Sequence, residues 1–215
     1  MKSVLIIGIG KLGNELVHEF FSLGIEVMAV DKIEERVNDV LPFVTNAQIG
    51  DASNQAFMNS LGIDSFDVCL VAIGNDFQSS LEITSLVKEM GGKLVVSLSD
   101  SDRQSKFLLR NGADEVINPD KQVARWAAIK YSSEQIYNFI TLDENHAIYE
   151  VAVPSEWDGK NVKQVDIRKK YALNILATKK GEDFDFVVTP DTAFEDGMSM
   201  LVMGEYRNLR KCFRL

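Results

Sequence analysis

The sequence predicts an α/β chain: a doubly wound parallel sheet, a helical crossover, and then a small α+β domain. Three observations predict it. From residue 1 to 118, short apolar runs alternate with amphipathic helical segments. The first apolar run, Val4-Leu5-Ile6-Ile7, leads straight into a G-x-G-x-x-G turn at Gly8, Gly10 and Gly13. After Asp143 the hydrophobic period changes from helical to strand-like. Six βα units of this size make the first part Rossmann-like, with a predicted strand order of 3-2-1-4-5-6.

The elements follow in order. Strand one is Ser3–Ile7, and a helix from Lys11 to about Leu23 carries Leu12, Leu16, Val17 and Phe20 on one face before Gly24 ends it. Strand two is Glu26–Asp31, followed by a short helix over Glu34–Leu41. Strand three is about Ala47–Ile49, and the helix Asn54–Leu61 stops at Gly62. Strand four, Asp67–Ile73, is nearly continuous apolar sequence of the kind buried on both faces. A helix over Phe77–Met90 ends at Gly91-Gly92. Strand five at Lys93–Leu98, a helix at Asp102–Arg110 and strand six at Glu115–Asn118 complete the sheet.

Beyond Pro119 the pattern changes. Residues 121–140 read as one long or broken helix, with Val123, Trp126, Ile136 and Phe139 apolar. Strands are then predicted at His146–Val153, Leu173–Thr178, Phe184–Thr189 and Ser199–Met203, and helices at about Val162–Tyr171 and Tyr206–Phe213. The expected domains are 1–120, a connector at 121–142, and 143–215.

Composition narrows the class. The chain has 215 residues, 46% hydrophobic and 26% charged, which is ordinary for a globular protein with a sizeable core. A net charge of −9 argues against nucleic acid or an anionic membrane surface as a partner. The two cysteines, Cys69 and Cys212, lie far apart without metal spacing, which suits a reducing cytosol. No apolar run approaches the roughly 20 residues that span a bilayer, and the first residues lack a signal-peptide layout. A cytoplasmic location is expected.

In a doubly wound sheet, ligands bind at the carboxyl ends of the strands, beside the point where strand order reverses. The candidate binding residues therefore lie at four strand ends. The first is the turn Gly8, Ile9, Gly10, Lys11, Leu12 and Gly13. Here Gly8 permits the tight turn, Gly10 lets a phosphate approach the backbone, and Gly13 lets the helix pack close to the strand. The second is Asp31 with Lys32, the third Asp51 with Ala52, and the fourth Ala72, Ile73, Gly74 and Asn75. Asp31, eighteen residues past Gly13, suits the ribose hydroxyls and repels a 2′-phosphate, and Lys32 weakens that repulsion slightly. Asp51 reads either as an adenine contact or as a turn acid. Lys11 opposes the helix dipole by a few tenths to about 1 kcal/mol unless an anion sits there. It therefore reads either as a phosphate ligand or as a solvated side chain. Asp120 reads either as a helix cap or as a carboxylate for a divalent cation such as Mg²⁺.

A dehydrogenase needs a group that moves a proton. Only His18 and His146 are present. No Tyr-x-x-x-Lys pair, metal-binding cluster or Gly-x-Ser-x-Gly elbow appears. These absences favour ligand sensing, with an NAD-dependent oxidoreductase or a stand-alone nucleotide sensor as alternatives.

The ordered set Gly8-Ile9-Gly10-Lys11-Leu12-Gly13, Ala29-Val30-Asp31, Gly50-Asp51-Ala52-Ser53, Leu61-Gly62-Ile63, Val71-Ala72-Ile73-Gly74 and Asn111 to Pro119 resembles the RCK (regulator of conductance of K⁺) family. This family forms the cytosolic regulatory subunits of Trk/Ktr-type potassium uptake systems. Asp166-Ile167-Arg168-Lys169-Lys170-Tyr171 and the closing strand to Gly204 extend the resemblance over nearly the full length. The resemblance implies a regulator that binds ATP, ADP or NAD(H), with a divalent cation in some relatives; Asp31 by itself suits NAD, AMP, ADP or ATP over NADP. It implies a homodimer that builds a larger ring, often an octamer, beneath a membrane potassium channel or transporter subunit at the inner face. It implies that Lys11 reads outer phosphates and that Asp120 takes part in cation binding. It also implies a second site, for cyclic di-AMP, at Val162, Arg168, Asn174, Ile175 and Pro190.

Overall fold

The computed structural model describes residues 2–143 and 145–214. The chain divides into two compact units, one ending at Gln122 and the other beginning at Val123.

The first unit is a six-stranded sheet in the order β3-β2-β1-β4-β5-β6, with every neighbouring pair parallel. Its strands are β1 (Ser3–Ile7), β2 (Glu26–Asp31), β3 (Asn46–Ile49), β4 (Val68–Val71), β5 (Val95–Leu98) and β6 (Glu115–Ile117). Helices α1 (Lys11–Ser22), α2 (Glu34–Val40), α3 (Gln55–Ser60), α4 (Phe77–Glu89) and α5 (Asp102–Arg110) connect them. This is the order that the alternating pattern predicts. It places the reversal between β1 and β4, which pair directly.

Side chains alternate across a strand, so a strand covered on both faces must be apolar at every position. β1 shows this. Leu5 and Ile7 pack with Met58, Ile83 and Val87 from α3 and α4 on one face. Val4 and Ile6 pack with Val17, Val37 and Val40 from α1 and α2 on the other. These four β1 side chains are at most 2% exposed.

α6 (Pro119–Lys130) holds the boundary between the units. The second unit is an antiparallel sheet in the order β10-β9-β11-β8-β7. Its strands are β7 (Ile136–Thr141), β8 (His146–Ala152), β9 (Asn174–Lys180), β10 (Asp183–Asp185) and β11 (Ser199–Glu205). α7 (Val162–Val165), α8 (Ile167–Tyr171) and α9 (Tyr206–Phe213) complete it. Its core gathers Tyr149, Trp157, Leu173, Phe194, Met200 and Leu209.

Three expectations need correction here. Residues 121–140 are not one helix. α6 ends at Lys130, and residues 136–141 form β7, paired with β8. A bulge between Ile136 and Asn138 shifts the register, so the buried Ile136 and Phe139 fall three residues apart. That spacing copies a helical period. The connector expected at 121–142 thus contains an edge strand of the second sheet.

The strand expected at Phe184–Thr189 shrinks to Asp183–Asp185. The Asp185 carboxylate accepts the Val187 N–H at 2.8 Å, a local turn that draws the chain away from the ladder. The helix expected at Val162–Tyr171 is broken at Asp166, whose φ of 51° is left-handed.

Ala172 closes α8 at φ 54°, also left-handed, and its side chain is exposed. A Cβ there strains the backbone, and glycine relieves that strain. Ala172→Gly is expected to stabilise the protein by about 0.5–1 kcal/mol in urea unfolding. A loss of stability would show that the αL cap carries no strain.

Candidate nucleotide-binding site

The glycine turn is shaped by two close approaches. Gly8 has a φ of 97°, and a Cβ there would lie 2.9 Å from the Ala72 carbonyl oxygen. Gly13 packs on the Gly8 carbonyl so closely that any Cβ would collide with it. α1 therefore starts directly against the end of β1. Gly10 differs, because a Cβ there would meet nothing within 4 Å. The backbone at Gly10 faces open space.

The start of α1 has no side-chain cap and no acid in its first turn. Asn54, Asp76 and Ser101 cap α3, α4 and α5 with their side chains. The first N–H groups of α1 are thus left without a side-chain partner at the positive end of the helix dipole. Lys11, exposed in that first turn, makes no ion pair among the described residues.

These groups border a cavity of about 590 Å³ at the carboxyl ends of β1, β2, β3 and β4. This size is typical of a small-molecule site. Of the residues expected there, Gly8, Gly10, Lys11, Leu12, Asp31, Lys32, Asp51, Ala52, Ala72, Ile73, Gly74 and Asn75 line it. Ile9 and Gly13 do not. The Ile9 side chain is buried in the core, and Gly13 is the packing contact under the turn. Sequence reasoning missed Arg36, Asp76 and Ser79, which also line the cavity. Arg36 carried a readable signal, since α2 begins at Glu34 and brings its first turn back beside Asp31.

Asp31 is only 6% exposed and already has partners. Its Oδ2 accepts the Ile9 N–H at 2.7 Å and meets Arg36 Nη1 at 3.4 Å. Its Oδ1 accepts the Ile33 N–H at 2.9 Å. One carboxylate therefore ties the glycine turn to the end of β2.

Asp51 is exposed and forms its own turn, accepting the Ser53 N–H at 2.9 Å and the Ser53 hydroxyl at 2.7 Å. The Ser53 N–H, then its hydroxyl, hold the Asp51 carboxyl below its ordinary range, with a smaller push from Lys32. Asp76 is held low in the same way by the Ser79 hydroxyl and N–H, again with help from Lys32. Lys32 thus acts on both acids across the cavity. Among the described residues no histidine, tyrosine or cysteine lines the cavity.

Asp120 is exposed in the first turn of α6 and does not line the cavity. The Asn118 side chain caps that helix, accepting the Lys121 N–H at 3.0 Å. Among the described residues no group of three His, Cys, Asp or Glu is placed to hold a metal ion.

In the second unit, Val162, Arg168, Asn174, Ile175 and Pro190 come together around a separate cavity of about 500 Å³. The Lys163 N–H donates to the Pro190 carbonyl at 2.9 Å, which fixes the start of α7 against the loop after β10.

A doubly wound domain with an uncapped glycine turn, followed by a small antiparallel-sheet domain, defines a two-domain chain of the RCK class. The TrkA-N domain family matches residues 4–119, and the TrkA-C domain family matches residues 146–215. The chain belongs to this TrkA-N/TrkA-C family. It is 32% identical over 189 residues to Ktr system potassium uptake protein C of Bacillus subtilis, covering 88% of this chain and 85% of that one. It is 30% identical over 210 residues to Ktr system potassium uptake protein A of the same organism, covering 98% and 95%. In fold it is similar to the GsuK channel bound to NAD, with a TM-score of 0.69 at 14% identity. That match covers all of this chain but 39% of the GsuK chain. Among the described residues no helix is long and apolar enough to cross a membrane.

Asp31 therefore has a structural task apart from any ligand. Asp31→Ala leaves the buried Ile9 N–H without its acceptor, which costs about 1–3 kcal/mol. The ligand-free protein is expected to lose that much in urea unfolding, and Asp31→Asn, which keeps an acceptor oxygen, to recover part of it. Unchanged stability in Asp31→Ala would mean that the turn holds without the tie.

Proposed function

We propose that this chain is a nucleotide-sensing regulatory subunit of a membrane potassium uptake system. The observation that carries the reading is the uncapped start of α1, which opens, with Lys11 unpaired among the described residues, onto the cavity that holds Asp31. Relatives over most of the chain are potassium uptake proteins. A bound anion would reverse the unfavourable placement of Lys11 at a helix start.

The ligand class is an adenine nucleotide: ATP, ADP, AMP or NAD(H). The phosphates lie over Gly10 and the first turn of α1. The ribose hydroxyls face Asp31, and the adenine lies towards Asp51 and Ala52. A divalent cation such as Mg²⁺ accompanies the phosphates. Asp120 is its candidate carboxylate once subunits assemble, since within one chain it lies outside the cavity lining. The chain works as a switch and not as a catalyst. Homodimers build a larger ring, an octamer being the expected form, in the cytoplasm beneath a membrane potassium channel or transporter subunit. Exchange of nucleotide biases the ring between conformations only if the ligand binds them with different affinity, a coupling typically of about 1–3 kcal/mol.

The cavity around Arg168 supports a second ligand. It has room for a polar molecule beside a cation, and cyclic di-AMP, held between two copies of the domain, is the proposed occupant.

Calorimetric titration of the full chain with ATP, ADP, AMP and NAD⁺, with and without Mg²⁺, tests the reading beside native mass measurement. Binding of adenine nucleotides by an oligomer is the expected result, and a strict monomer that binds none of them would overturn it. Lys11→Ala should weaken ATP more than AMP, by about 1 kcal/mol or roughly fivefold. An equal loss for both would remove Lys11 from the outer phosphates. Arg168→Ala should abolish cyclic di-AMP binding while leaving ADP binding intact, and retained cyclic di-AMP binding would reject the second site.

A further inference from the structure

Arg36 changes what the ribose end of the cavity accepts, an inference that rests on the adenine-nucleotide reading above. An acid at the end of β2 ordinarily excludes a 2′-phosphate, and a nearby arginine ordinarily admits one. This chain has both in contact. Arg36 lines the cavity with its side chain 47% exposed, and Nη1 lies 3.4 Å from Asp31 Oδ2. That long contact is its sole hydrogen bond or ion pair among the described residues, so most of its donors are unused. Lys32, exposed beside Asp31, adds a second cation at the same end.

The Asp31 carboxylate is already engaged. Both of its oxygens accept backbone N–H groups, from Ile9 at 2.7 Å and Ile33 at 2.9 Å. Those bonds fix the carboxylate in place, and the Arg36 guanidinium beside it offsets part of its repulsion toward a ligand anion. The contact with Arg36 is long at 3.4 Å, and the guanidinium is half-exposed over the buried Asp31, so it can turn toward a ligand while staying near the carboxylate. A phosphate offers the same fork a shorter, bidentate partner. Around the cavity Lys11, Lys32 and Arg36 balance Asp31, Asp51 and Asp76. Lys32 in the β2–α2 turn and Arg36 in the first turn of α2 both line the cavity beside Asp31.

We propose that Arg36 makes the ribose end permissive for a 2′-phosphate, so that NADP(H) is a ligand of this site beside NAD(H). Competition calorimetry on the full chain, with NAD⁺, NADP⁺, ADP and adenosine 2′,5′-bisphosphate, tests it. In the unaltered protein NADP⁺ is expected to bind within about tenfold of NAD⁺. Arg36→Ala should lower NADP⁺ affinity at least about tenfold more than NAD⁺ affinity, with Arg36→Lys between. NADP⁺ binding more than about a hundredfold weaker than NAD⁺, or an equal loss of both in Arg36→Ala, overturns the proposal while the nucleotide reading stands. Failure of NAD⁺ and ADP to bind at all removes the nucleotide reading, and this proposal falls with it. Thermal unfolding of each variant separates a lost contact from a lost fold.

Discussion

The packing of α1 onto the end of β1 is the constraint on which the rest depends. Gly13 rests on the Gly8 carbonyl at a distance that no side chain permits, and Gly8 turns through a left-handed φ to allow it. The Asp31 carboxylate then clamps the turn to β2 through the Ile9 N–H. With those contacts made, α1 points its first N–H groups at the place where β1 and β4 part. The apolar filling of both sheet faces holds the strands rigid beneath it. The cavity is thus a consequence of backbone geometry, and its side chains tune it.

The tuning is electrostatic. A chain of net charge −9 gathers three cations and three acids around one cavity. Two of the acids, Asp51 and Asp76, are occupied by the turns and caps they make with Ser53 and Ser79. Asp31 is occupied by backbone N–H groups and Arg36. Among the described residues Lys11 has no such partner. An anionic ligand therefore meets cations freer to respond than the acids are.

Much of this was legible in the residues. The six βα units, the strand order and most of the cavity lining follow from hydrophobic period and the glycine spacing, because a buried parallel strand has almost no compositional freedom. The reading failed where local pattern and tertiary pairing disagree. Ile136 and Phe139 look helical because a bulge resets their spacing, and only pairing with β8 discloses that. Phe184 to Thr189 looks like a strand by composition, but the Asp185 turn and the lack of a second neighbour strand end it early. Asp166 breaks a helix that propensity alone would continue. Arg36 was overlooked because its signal, the return of the first turn of α2 to Asp31, marks a contact and belongs to no motif.

What the sequence by itself determined is the scaffold and the address of the site. Periodicity and three glycines suffice for these, since each is a local steric requirement. What only the tertiary structure decided is how the charged groups are engaged. That Asp31 is already bonded on both oxygens, that Arg36 leans on it, that Asp51 serves its own turn and that Asn118 caps α6 are facts of distance. A hydrogen bond or an ion pair exists only within a few tenths of an ångström of the right geometry. That geometry is set by the packing of elements distant in the chain, which no local pattern records.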